Sequence, residues 1–286
     1  MMDDLTKKLS EFAIQAQFRD LPKEVVHETK RILLDSIGCA VGARRMERGR
    51  ICTELAQKLG GPPEATILGT SSKVARLNAA FANGELINAL DYDANLGLHM
   101  PPFVIPAPLA LAETVSASGK SLILSIAIGL EIATRLQMAT APALASKKNA
   151  SGKLEVSFAP VSGHGTGVFG AAVGAAKILN LGLEKMANTI GIAGYAGPPS
   201  TFRKWTDTVP CGMMKYGPAG FTAEVGLRSA LVAEMGYYAD KDVFAGEFGY
   251  GRFSGLQQWD GVAAVQGLGS RWKCAEVSYK KYPCGH

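Results

Sequence analysis

Small residues recur inside apolar helical periods along this chain, and that pairing restricts it to folds in which helix backbones lie close together. Glycine makes up 33 of the 286 residues, with abundant alanine beside it. Leu5, Leu9, Phe12, Ala13 and Ala16 keep helical spacing across 3–18. After Leu21-Pro22 the period resumes through Val25, Val26, Thr29, Ile32, Leu33, Ile37 and Val41. The run Asp35-Ser36-Ile37-Gly38-Cys39-Ala40-Val41-Gly42 carries little side-chain bulk, so a second helix can approach it. Further helices are predicted at 74–89, 103–118, 121–144, 166–180, 183–195 and from 219 through Leu231. Gly60-Gly61-Pro62-Pro63 is a break, 65–69 is strand-like, and 146–163 is polar and irregular. Beyond about 238 aromatic and glycine-rich turns take over, and 272–279 alternates like a strand. The predicted fold is mainly α: a large all-helical domain over 1–240, then the start of a smaller α+β domain over 241–286.

A chain that is 47% hydrophobic and 19% charged is globular. The net charge of +5 is scattered rather than clustered, which speaks against nucleic acid as a partner. The polar start MMDDLTKKLS lacks a signal core, and the apolar stretch 122–130 meets Glu131 and is short for a bilayer, so no membrane association is expected. Five cysteines with no CxxC pair argue against a disulfide framework, a zinc site or an iron–sulfur cluster, and a reducing cytoplasm fits best.

Only four histidines occur, at 27, 99, 164 and 286. His99 lies in a turn-rich loop between Asp91-Tyr92-Asp93 and Met100-Pro101-Pro102, and His164 lies in Ser162-Gly163-His164-Gly165-Thr166-Gly167. Each precedes an apolar helical pattern, a setting suited to acid–base chemistry near neutral pH. Each also has a plain structural reading, as a surface-loop residue (His99) and as a helix-start residue (His164). Gly165-Thr166-Gly167-Val168-Phe169-Gly170 matches GxGxxG, with Glu184 downstream, but no buried strand precedes it and no second strand follows. A helix start capped by Thr166, with free N–H groups able to hold a carboxylate, explains it better. Asp91, Asp93 and Asn95 imitate a calcium loop, but Leu96 and Pro102 replace its glycine and glutamate. Asp91, Asp93 and His99 alone are a weak metal signal. Lys215, between Met214 and Tyr216, reads as half-buried and in need of an anionic partner.

Taken in order, several stretches resemble the 2-methylcitrate dehydratase family (MmgE/PrpD), which includes cis-aconitate decarboxylase and iminodisuccinate epimerase. They are Asp35 to Gly38, Asn83-Gly84 through Asp93, His99 with its proline-rich turn, Gly163 to Ala172, Lys215 ahead of Gly217-Pro218-Ala219, and Tyr279 to Cys284. The resemblance implies a helical domain with a smaller α+β lid, a homodimer, and an active site without metal or other cofactor. It implies a hydro-lyase (a carbon–oxygen lyase) acting on a small di- or tricarboxylate such as 2-methylcitrate, as in propionate catabolism. An epimerase or decarboxylase of the same family is the alternative, and a silent binding or dimerisation protein a further one. By position, His99, His164 and Asp91 match catalytic residues, and Lys215, Lys280 and Asp93 match substrate-binding ones. The two lysines would hold carboxylates, the histidines would exchange protons, and Asp91 would fix an imidazole tautomer. The loop from Asp93 to His99 lacks a further histidine that some members place there, and the chain stops at His286 as if truncated within the lid.

Overall fold

The computed structural model describes residues 2–283 and is mainly α, as the periodicity predicts. Cys284 and His286 lie outside the described residues. Helices α1 (Asp4–Gln15), α2 (Lys23–Ala43) and α3 (Glu47–Leu59) lead to a short antiparallel pair, β1 (Ala65–Thr66) with β2 (Lys73–Val74). There follow α4 (Arg76–Ala89), the His99 loop, α5 (Pro101–Val104), α6 (Pro106–Thr114) and α7 (Gly119–Met138). A hairpin of β3 (Leu144–Lys148) and β4 (Leu154–Phe158) precedes a 3₁₀ turn (Gly163–Thr166) and α8 (Gly167–Ile178). The remainder is α9 (Leu183–Ala196), α10 (Phe202–Thr206), α11 (Ala219–Glu234), α12 (Tyr250–Phe253), α13 (Gly261–Val265) and a 3₁₀ turn (Lys273–Ala275).

Helix α8 is the centre of the bundle. Its residues from Gly167 through Ala176 are all buried, and it packs against α6, α7, α9 and α11. Glycines set the spacing. A Cβ on Gly170 would stand 2.4 Å from Gly129 O, and one on Gly129 would stand 2.6 Å from Gly170 O. Gly226 of α11 meets Ala171 in the same way, at 2.4 Å. Helix α7 has the length and hydropathy of a membrane span, yet most of it is buried inside the bundle.

The chain after α11 is pinned to the bundle by a buried ion pair on α7. Arg135 Nε donates to Glu131 Oε1 at 2.5 Å. The guanidinium also donates to the carbonyls of Gln266 (2.8 Å), Gly267 (3.0 Å) and Arg271 (2.5 Å). The second oxygen of Glu131 accepts the Cys274 N–H at 3.0 Å. Burial of two opposite charges is tolerable here because nearly all their hydrogen-bonding capacity is met.

Three stretches depart from the periodicity. Helix α3 shows no apolar stripe, because what it buries is Arg48, Gly49, Cys52, Thr53 and Ala56. Helix α7 ends at Met138 rather than near 144, and the hairpin occupies part of the stretch that reads as irregular. All of β3 is exposed and its sequence does not alternate, whereas in β4 Leu154, Val156 and Phe158 alternate with Glu155 and Ser157. Over 272–279 no strand forms: Trp272 and Cys274 are buried, but Glu276 and Ser278 in the same register are exposed, because the 3₁₀ turn Lys273–Ala275 interrupts the alternation and only a single bridge joins Asn95 to Ser278.

Gly129→Ala should destabilise the protein by about 1–3 kcal/mol, since the added methyl meets a backbone oxygen that cannot swing aside. Urea denaturation reads this directly, and an unchanged midpoint would mean that α7 and α8 can separate without loss.

Candidate active site

Helix α4 ends in polar residues that cannot be buried without partners. Glu85 Oε2 accepts Arg48 Nε at 2.7 Å, and Glu85 Oε1 accepts the Gly220 N–H of α11 at 2.7 Å. The contact is possible because Gly84 and Gly220 bring the two helices together; a Cβ on Gly220 would lie 2.2 Å from Phe81 O. Asn88 Oδ1 accepts Arg48 Nη1 at 3.1 Å, and Asn88 Nδ2 donates to the Tyr216 hydroxyl at 2.6 Å. This frame places Tyr216 and Lys215 against the loop that follows α4.

Asp91 begins that loop with φ 55°, and Lys215 has φ 54°. Among the described residues only four non-glycines have positive φ, and these two form an ion pair with each other, at 3.7 Å. Backbone strain of this kind gathers at functional sites. Lys215 Nζ donates to Asn88 O at 2.8 Å. Lys280 Nζ also lies 3.7 Å from Asp91 Oδ1 and donates to Asp91 O at 2.9 Å. Burial pushes the Asp91 carboxyl up, but Lys215, His99, Lys280 and the Tyr216 hydroxyl together hold it below the ordinary range. Burial pulls the Lys215 ammonium down, with Asp91 opposing.

His99 is buried rather than a surface-loop residue. Its Nδ1 lies 2.8 Å from Asp93 Oδ2, and its Nε2 lies 3.0 Å from Lys280 Nζ and 3.4 Å from Asp91 Oδ1. An ammonium can only donate, so Nε2 presents its lone pair to Lys280 while Nδ1–H donates to Asp93. The carboxylate that orients the ring is therefore Asp93, fully buried, with Asp91 on the side of the other ring nitrogen.

His164 sits in the 3₁₀ turn ahead of α8 and is 2% exposed. Its Nδ1 lies 2.6 Å from Ser162 Oγ, and its Nε2 has no hydrogen-bond partner among the described residues. The Tyr216 ring stacks on it with centroids 4.3 Å apart and on His99 at 5.1 Å; the two imidazoles are 6.4 Å apart. Burial, and after it the neighbouring His99, push the His164 imidazole well below the ordinary histidine range, so it is neutral at neutral pH. Burial first, then Asp93 and Asp91, push Tyr216 well up, so it stays a phenol and donates to Asp91 Oδ1 at 3.2 Å. Thr166 does not cap α8. The chain is already coiled by the 3₁₀ turn, and the Thr166 hydroxyl donates back to Gly163 O and Ala133 O.

The six residues singled out from the sequence thus form one cluster, and the fold adds Tyr216, Asn88, Ser162 and Ser200 to it. Tyr216 and Ser162 adjoin Lys215 and Gly163-His164, an available hint; Ser200 and Asn88 carry no local signal. Ligand atoms of Asp91, Asp93 and His99 lie within 4.8 Å of one another, a spacing a cation could use. The Lys280 and Lys215 ammonium groups already stand against the same atoms, so a dication would meet two like charges at contact distance. The lysines supply the positive charge that a metal would bring.

The family model for the MmgE/PrpD N-terminal domain matches residues 7–260, and the chain belongs to the MmgE/PrpD family. It is 27% identical to the cis-aconitate decarboxylase of Aspergillus terreus over 98% of its own length and 57% of that enzyme's. It is 25% identical to the cis-aconitate decarboxylase of Homo sapiens over 99% of its own length and 57% of that enzyme's. The chain thus spans little more than half the length of these relatives. Lys280 lies beyond the residues that the N-terminal domain model matches, yet touches His99.

The depressed His164 makes stability pH-dependent. The unfolded chain protonates this histidine below about 6.5 while the folded one does not, so the unfolded state binds more protons and stability falls as pH drops through that value. Urea midpoints measured from pH 7.5 to 5 should decline, and His164→Asn should flatten the decline; equal slopes in the two proteins would show that His164 titrates freely.

Proposed function

We propose that this protein is a lyase of small di- or tricarboxylates that works by proton transfer between two histidines. The observation that carries the reading is the contrast between the two rings. His164 offers a buried Nε2 with no partner among the described residues, while His99 Nε2 lies against the Lys280 ammonium, a proton donor. One side of the cleft is a neutral base and the other is rich in protons, which is the division that acid–base chemistry at carbon requires. Lys215 has three N–H donors and uses one on Asn88 O, so it can hold a substrate carboxylate. Asp91 pairs with both lysines and holds them in place.

Decarboxylation of a cis-aconitate-like acid is the preferred reaction, because relatives similar over nearly the whole chain carry that name. Loss of carbon dioxide leaves an electron pair that must be protonated on carbon, a task for the Lys280–His99 side. Dehydration of a 2-methylcitrate-like acid is the second reading. There His164 takes the proton from carbon and the Lys280–His99 side protonates the departing hydroxyl, so that the same groups serve.

Incubation with cis-aconitate, 2-methylcitrate and iminodisuccinate in deuterated water, followed by NMR, tests this. Carbon dioxide release with deuterium on the product carbon is expected from cis-aconitate. Loss of water from 2-methylcitrate supports the second reading, exchange without net loss in iminodisuccinate points to epimerisation, and no turnover or exchange with any of the three overturns the proposal. Lys215→Ala should raise KM by about tenfold or more, from the ~1.5–3 kcal/mol of a charged hydrogen bond. An unchanged KM in steady-state assays would refute a carboxylate-holding role.

A further inference from the structure

The buried side of His164 carries a proton inventory that has one solution. Ser162 and Ser200 are 1% and 3% exposed, and both hydroxyls are enclosed with the imidazole. Ser200 Oγ lies 2.8 Å from Tyr216 O, Ser162 Oγ lies 2.7 Å from Ser200 Oγ, and His164 Nδ1 lies 2.6 Å from Ser162 Oγ. A carbonyl oxygen only accepts, so the single Ser200 proton belongs to Tyr216 O. The Ser162–Ser200 contact then needs the Ser162 proton. With that proton spent, the contact to Nδ1 needs the proton of the imidazole. In the reverse assignment two oxygens would face each other at 2.8 Å, between Ser200 and Tyr216, with no hydrogen between them.

We infer that Ser162 and Ser200 are positioning residues: a two-hydroxyl relay that fixes His164 as the Nδ1–H tautomer and leaves the lone pair on Nε2. The relay ends on a backbone carbonyl, which neither takes up nor releases a proton, so it orients and does not conduct. Tyr216 closes it at both ends, its carbonyl receiving the last hydroxyl and its ring lying on the imidazole. The two histidines are thereby backed differently. An imidazolium at His99 would face the Asp93 carboxylate, whereas one at His164 would face a neutral oxygen. The tautomer follows from hydrogen-bond geometry alone; its catalytic consequence rests on His164 being the base proposed above.

Long-range ¹H–¹⁵N correlation spectra of the full chain at pH 7.5 read the tautomer directly, with His164 assigned by the loss of its signals in His164→Asn. Nδ1 should show the shift of a protonated ring nitrogen and Nε2 that of an unprotonated one. A proton on Nε2, or on both nitrogens, overturns the inference whether or not the protein is active. Ser200→Ala supplies the sharper contrast. It keeps the Ser162–His164 contact but frees the Ser162 proton to point at Nδ1, so the tautomer should switch to Nε2–H, and kcat for the dehydration, the reading in which His164 is the base, should fall about 100-fold with KM retained. Ser200→Thr, which keeps the hydroxyl, should restore both. An unchanged tautomer in a folded Ser200→Ala would mean that Ser200 only fills space. If the wild-type tautomer is as inferred but no acid in the panel reacts, the relay stands and the functional proposal falls.

Discussion

Everything in the site depends on two helix backbones touching. Gly129 and Gly170 let α7 and α8 meet at carbonyl distance, and α8 in turn supports α6, α9 and α11. The turn bearing His164 is the lead-in to α8, and α11 starts just beyond Tyr216. A helix spaced outward by a single methyl group would carry its end of the site with it. Close packing transmits such displacements because the interior has no slack.

Electrostatics then completes what packing begins. Two lysines converge on Asp91, and Asp93 backs His99, so that the acidic and basic groups of the cluster balance. His164 makes no ion pair with that network among the described residues: its Nδ1 is backed by a hydroxyl, and the Tyr216 ring lies between it and Asp91's side of the cluster. The same cleft therefore holds one ring in a charged setting and one in a neutral setting.

The helical body was legible because its apolar positions keep a helical period over long runs, and the histidines because rare residues stood among glycines and prolines. What stayed hidden has physical reasons. Helix α3 buries an arginine, so its inner face is polar. Strand β3 is wholly exposed and does not alternate, so the alternation of Leu154, Val156 and Phe158 in β4 had no visible pairing partner. Local order along the chain also could not distribute the carboxylates: Asp91 and Asp93 are two residues apart, yet they serve opposite nitrogens of one ring. Ser200 reaches His164 only through Ser162, across a separation that no motif spans.

The pin formed by Glu131 and Arg135 has a consequence in time as well as in space. It fastens the chain around 264–274, and the Asn95–Ser278 bridge then delivers Lys280 to His99. During synthesis His99 and His164 leave the ribosome before Lys280, so the ammonium that lies against His99 Nε2 is a late addition to the cluster.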